Sequence, residues 1–165
     1  MVYDAVPRSL ILPLKYADAT ENADLLARYM ARAAKDVIGP DSLLRPVPLP
    51  RRRLVSRRYN QAALLARARG RLGRITVMAD GLERTRATRP LEGLGRRMRH
   101  DLMRGVIDVR AHHRAAIKGR HVIVVDDVMT TGATLGACAH ALLGAGAARV
   151  DVLAVARACG QHEQQ

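Results

Sequence analysis

The stretch from Arg120 to Thr134, RHVIVVDDVMTTGAT, constrains the fold more than any other part of the chain. Val122 to Val125 is an unbroken β-branched run, the pattern of a parallel strand buried on both faces. Asp126 and Asp127 follow at once, where such a strand leaves the carboxyl edge of its sheet. Open α/β sheets bind ligands in the crevice outside that edge. Thr130, Thr131, Gly132, Ala133 and Thr134 then lead into LGACAHALLGAG, which reads as a helix.

A loop of small hydroxyl residues feeding a helix N-terminus suits a phosphate. Free backbone N–H groups point outward, the helix dipole favours an anion, and Thr hydroxyls donate hydrogen bonds. Gly132 lets the backbone turn and approach the anion without a Cβ in the way. The neighbouring carboxylates suit vicinal sugar hydroxyls or a metal ion. Paired Asp at a strand end also serves as a plain polar exit from a core, and Thr before a helix as a plain cap. The two in series on one strand–loop–helix unit favour a sugar-phosphate site. An ATPase reading of VIVVDD requires an upstream GxxxxGK[ST] loop, and the chain has none.

At 165 residues the chain is expected to form one domain, 1–165, with a proper core. With four Tyr and no Phe or Trp, that core must be aliphatic. The net charge of +13, carried mostly by Arg, favours phosphates, nucleic acid or an acidic surface, although Arg also serves wherever a solvated cation will do. Cys138 and Cys159 are the two cysteines, too few for a disulfide framework, and Cys138 reads as a buried mid-helix residue. The apolar stretch from Ser9 to Leu14 is too short for a signal or membrane helix, so no membrane partner and a cytoplasmic location are expected.

Along the chain, SLILPLKY reads as β-like or irregular. Thr20 to Ile38 reads as an amphipathic helix packing through Leu26, Met30, Ala33 and Val37, stopped by Gly39-Pro40. Ser42 to Pro50 carries a short strand. Tyr59-Asn60-Gln61 opens a helix with Leu64, Leu65, Ala68 and Leu72 inward, and Asn60 suits a cap or a ligand contact. Ile75 to Val77 suggests a short strand. Leu82 to Arg99 has no clean apolar period and many cations, and reads as a mobile loop with a helical turn near Leu94 to Met103. Gly105 to Val109 reads as a strand returning to the sheet. His112 and His113 have no ligand partner at metal spacing and read as surface residues. A helix with Leu135, Ala139, Leu142 and Leu143 inward and a strand from Val150 to Ala156 complete a βαβ unit. Residues 160–165 read as a frayed tail.

VIVVDDVMTTGATL is very similar to the phosphoribosyl pyrophosphate (PRPP) motif of type I phosphoribosyltransferases. LKY at Leu14 to Tyr16, PVPLPRRRLVSRRYNQ at Pro46 to Gln61 and the Arg/Thr-rich segment from Arg84 to Gly105 resemble landmarks of one branch, the ComF family. Arg58-Tyr59, Leu91 and Leu102 depart from that family's pattern.

The resemblance implies an α/β, Rossmann-like fold. A mostly parallel central sheet is flanked by helices, with a small flexible hood over about 84–104. It implies a pentosyl transfer in which Thr130 to Thr134 hold the 5-phosphate and Asp126 and Asp127 hold the ribose hydroxyls, directly or through Mg2+. Arg51, Arg52 and Arg53 would face pyrophosphate, and Arg84, Arg86, Thr88 and Arg89 would face ligand from the hood. The expected cofactor is Mg2+. No zinc is expected, because the family's amino-terminal cysteine module does not precede this segment. The alternative is a non-catalytic competence protein that binds single-stranded DNA or a competence-machinery protein, with PRPP sensing and a homodimer left open. Few aromatic residues are available to stack bases, and no recognised nucleic-acid motif is present.

Overall fold

The structure, a computed structural model, describes residues 5–16, 21–39, 41–50, 59–88 and 94–158. Four parallel strands form the main sheet in the order β2-β1-β5-β6: β1 (Leu43–Pro46), β2 (Thr76–Val77), β5 (His121–Met129) and β6 (Arg149–Arg157). β5 lies inside this sheet, with Leu43 opposite Val122 on one side and Val122 opposite Val150 on the other. Its alternate residues therefore serve two cores, and both are aliphatic as the composition demands.

Ile123 and Val125 face the first core, with Leu44, Leu153 and Val155. This side is covered by α1 (Ala5–Tyr16), α2 (Glu21–Ala33) and α3 (Gln61–Gly73), through Ile11, Leu14, Leu26, Met30 and Leu65. Val122 and Val124 face the second core, with Cys138 and Leu142 of α6 (Ala133–Gly144), the helix that joins β5 to β6. A parallel pair needs such a crossover, and the βαβ expectation is met.

The second core also takes Leu82, Met103, Ile107 and Val109 from a smaller lobe. There β3 (Leu82–Arg84) pairs antiparallel with β4 (Ile107–Val109), and α4 (Arg96–Met103) lies between them in sequence. A 3-10 turn (Ala111–His113) and the short α5 (Arg114–Ile117) lead into β5.

Several expectations need correction. SLILPLKY is helical: it lies in α1, with Pro13 inside the helix and Ile11 and Leu14 fully buried. In α2 the inward residues are Ala23, Leu26, Ala27 and Met30. The helix stops at Ala33, Ala34 in the following turn takes the buried place, and Val37 is exposed. Leu72 and Leu143 are half exposed, so α3 and α6 have narrower apolar faces than read. The segment read as a strand returning to the sheet pairs instead with β3, within the stretch read as a loop. The tail at 160–165 lies outside the described residues. Among the described residues no helix is long and apolar enough to cross a membrane.

One charged side chain enters the second core's side of the sheet. Arg45 of β1 is fully buried, donating from Nη1 to the Met78 carbonyl at 3.2 Å, while its Nε and Nη2 have no hydrogen-bond partner among the described residues. Burial lowers its pKa to about 10, although the nearby Asp80 carboxylate works the other way.

Candidate functional site

The acidic pair stands within β5, not beyond it. The ladder to β6 continues past Val125, with Asp126 opposite Ala154, Val128 opposite Ala156 and Met129 opposite Arg157. On the other side β1 ends sooner, its last backbone bond running from Val47 N to the Val125 carbonyl at 2.9 Å. On the β1 side β5 thus outruns its neighbour, at the carboxyl edge where open α/β sheets bind ligands. Asp126 and Asp127 are both half-buried there. Each carboxylate accepts a main-chain N–H through Oδ1, Asp126 from Asp127 at 2.9 Å and Asp127 from Val128 at 2.7 Å, which fixes its orientation.

After Met129 the chain turns through Thr130, Thr131 and Gly132 into α6. Gly132 is the N-cap, at φ 77° and ψ 1°, the left-handed region that glycine enters without steric cost. No side chain caps this helix, so the first-turn N–H groups are not consumed by a cap hydroxyl. Ala133 is buried, Thr131 and Thr134 are half-buried, and Thr130 is exposed.

The smaller lobe reaches this loop through a contact that the sequence did not announce. His100 of α4 pairs its Nε2 with the Thr131 carbonyl at 3.2 Å, across 31 positions. No local pattern marks a lone His on a cationic helix.

Arg84 ties the lobe to the exit of β1. It donates from Nε to the Pro48 carbonyl at 3.2 Å and from Nη1 to Thr88 Oγ1 at 3.4 Å. Arg86 donates to the Arg104 carbonyl at 2.9 Å. Both side chains thus have bonds within the lobe or to the strand exit. Asn60 resolves to the cap: its Oδ1 accepts from Ala62 N at 3.0 Å, and its Nδ2 donates to the Val47 carbonyl at 2.9 Å, fastening α3 to the strand exit. Arg51, Arg52, Arg53 and Arg89 lie outside the described residues.

Asp126 and Arg84 both act electrostatically on Cys138. Burial pushes the Cys138 thiol on α6 up to about 12, with Asp126 adding to the effect and Arg84 opposing it. The site thus combines two oriented carboxylates, an uncapped helix start and an arginine. Hard oxygen donors of this kind fit Mg2+, which is held through one or two carboxylates and substrate phosphates.

Residues 54–164 match the family described as phosphoribosyl transferase domain. The chain belongs to that family. It is 33% identical over 160 residues to DNA utilization protein YhgH of Escherichia coli O157:H7, covering 93% of this chain and 68% of the relative. It is 32% identical over 119 residues to Competence protein F of Haemophilus influenzae, covering 72% of this chain and 51% of that protein. These names bear out the resemblance to the ComF branch. The chain spans 68% of the length of the first relative, so it corresponds to a part of that protein.

Among solved structures it resembles glutamine PRPP amidotransferase from B. subtilis, with TM-score 0.50 and 19% identity over 79% of this chain and 25% of that one. That likeness supports the fold, a mostly parallel sheet flanked by helices.

Proposed function

We propose that the crevice above β5 binds PRPP and that the protein transfers its phosphoribosyl group to an acceptor, releasing pyrophosphate. The observation that carries this reading is the continuity of the oriented pair Asp126–Asp127 with the left-handed Gly132 and the uncapped start of α6. The 5-phosphate would sit against the first-turn N–H groups with Thr130, Thr131 and Thr134 donating around it, and the ribose hydroxyls would donate to the two carboxylates.

In the transfer, the bond from C1 of the ribose to the pyrophosphate oxygen breaks and its electron pair leaves with pyrophosphate. A lone pair of the acceptor then forms the new bond at C1, and the acceptor sheds a proton. An anionic pair beside C1 would stabilise the cationic charge that develops there, and cations would neutralise the leaving group. Asp126 and Asp127 would hold Mg2+, which would supply further charge neutralisation. His100 and Arg84 would couple the smaller lobe to the phosphate loop and to the exit of β1, keeping water from the reacting centre.

Replacing both carboxylates, Asp126→Asn with Asp127→Asn, is expected to weaken Mg2+–PRPP binding by well over about tenfold, since each removes a charge-assisted contact. Calorimetry with unchanged affinity would reject the assignment. A PRPP-dependent pyrophosphate-release screen against purine, pyrimidine and amine acceptors then tests turnover and names the acceptor.

A second reading is favoured by the relatives named for DNA utilization and competence. Here the protein is a non-catalytic binder of single-stranded DNA. Arg67, Arg71 and Arg74, spaced at helical intervals along the end of α3, line a shallow groove of about 490 Å3 floored by Ile75 and Val77. It lies at the amino-terminal end of β2, whose Thr76 is level with Val122 of β5, away from the acidic pair. Salt titration of oligonucleotide binding, with and without PRPP, separates the readings. A steep salt slope indifferent to PRPP favours the second.

A further inference from the structure

We propose that Asp80, His112 and His113 form a site for one divalent transition-metal ion, Zn2+, Co2+ or Ni2+, at the base of the β3–β4 ribbon. The site is independent of the PRPP reading and shares no residue with it.

Adjacent histidines with no nearby partner in sequence read as surface residues, but the fold supplies the third ligand. Pairing of Leu82 with Val109, and the bond from Arg110 N to the Gly81 carbonyl at 3.1 Å, bring the turn before β3 beside the turn after β4. Asp80 in the first turn thus meets His112 and His113 in the second. One ligand atom from each of the three residues lies within 4.8 Å of the others. His113 Nε2 is 3.1 Å from Asp80 Oδ1, and the two imidazole rings stand 4.1 Å apart between centroids.

Ligand atoms around a tetrahedral ion with metal–nitrogen bonds of about 2.1 Å are separated by about 3.4 Å. The cluster, whose ligand atoms lie within 4.8 Å, therefore needs to contract by at most about 1.4 Å at its widest. Asp80 and His112 are exposed and free of the core, so side-chain rotation suffices. Two imidazoles and one carboxylate make a mixed nitrogen–oxygen set, which selects borderline ions over Mg2+.

Arg110 is engaged by Glu83 at 3.4 Å but also acts on Asp80, and Arg114 is engaged by Asp108 at 3.0 Å. Arg45 faces Asp80 from the core and opposes a cation, which argues for moderate affinity. The remaining coordination positions would take water. A bound ion would staple the two turns and stiffen the ribbon that carries Arg84.

The test uses the full chain in excess Mg2+, which occupies hard-oxygen sites, with Co2+ titrated and its visible absorption recorded. Zn2+ competition and thermal melting provide second readouts. One saturable equivalent of Co2+, displaced by Zn2+, is expected, together with a higher Tm. Asp80→Asn, His112→Ala and His113→Ala should each weaken binding by about tenfold or more. His140→Ala, an exposed histidine elsewhere, should leave binding unchanged. Absence of saturable absorption, or stoichiometric binding that survives in the His112→Ala/His113→Ala double variant, would overturn the proposal. PRPP affinity measured without transition metal tests the other site separately.

Discussion

The guanidinium of Arg45 fills the space that a side chain on Gly81 would need: a Cβ built there coincides with Arg45 Nη1. Because Arg45 is fully buried, it has no solvent into which to swing aside. Gly81→Ala is therefore expected to destabilise the fold by about 3 kcal/mol or more, the upper range for overpacking a filled site. Arg45→Met should be tolerated within about 1 kcal/mol or even stabilise, since it removes a desolvated charge with two unpartnered nitrogens. The double variant should recover much of the Gly81→Ala loss. Additive effects in urea denaturation would show that the two residues do not share this space.

Gly132 poses the opposite problem. A Cβ there meets nothing within 4 Å, so the sole obstacle to a larger residue is its φ of 77°. Gly132→Ala should cost about 1–2 kcal/mol of backbone strain without any clash. Gly132→Asn should cost less, because Asn tolerates the left-handed region. If the loop cradles phosphate, both variants should also lose PRPP affinity, in the same order. Equal stability of wild type and Gly132→Ala in chemical denaturation would contradict the local geometry.

What could be read from the sequence was what a short window contains. The β-branched run at Val122 to Val125 signals its own strand, and the acids and Gly132 follow within ten positions. Asn60 before QAALLA marks a cap for the same reason. The misreadings came from two sources. In α1, LILPL looks extended because Pro13 and a short apolar run hide the three-residue spacing of Ile11 and Leu14 that packs the helix. The smaller lobe depends on pairings between distant segments: Leu82 with Val109, Asp80 with His113, His100 with Thr131. Its strands are three residues each, Leu82–Arg84 and Ile107–Val109, too short for a period to stand out, and a residue-by-residue scan cannot bring the partners together.

The amino-terminal edge of the sheet carries a network that makes stability depend on acid. His121 Nε2 and Arg149 Nε each lie 2.7 Å from Asp151 Oδ2, and Ser42 Oγ meets His121 Nδ1 at 3.2 Å. Burial disfavours ionisation of Asp151, but the hydrogen bonds from His121 and Arg149 outweigh it and hold the carboxyl below its ordinary 3.8. A depressed folded pKa stabilises the fold above the unfolded value, and that contribution disappears as pH falls through the folded value. Asp151→Asn should therefore be less stable than wild type at about pH 6, with the gap narrowing once the pH falls below the ordinary carboxyl value of 3.8. A gap that stays constant or widens on acidification, measured by urea denaturation at each pH, would remove Asp151 as the source.

Cys138 links the candidate site to the second core, and its chemistry reports whether that core is closed. Its side chain is fully buried, and burial, with Asp126 adding to the effect, pushes the thiol up to about 12. Thiol alkylation requires both the thiolate and access for the reagent, and folding withholds both. With Cys159→Ser leaving Cys138 as the sole cysteine, alkylation of the folded protein near neutral pH should run at least about a hundredfold slower than in urea. The residual rate should follow global stability, rising in Gly81→Ala and falling in any stabilised variant, because exposure of Cys138 requires α6 to leave the sheet. Modification at the rate of an unstructured thiol would mean that α6 opens freely. The phosphate loop at its start would then lack the rigid support that binding a sugar phosphate needs.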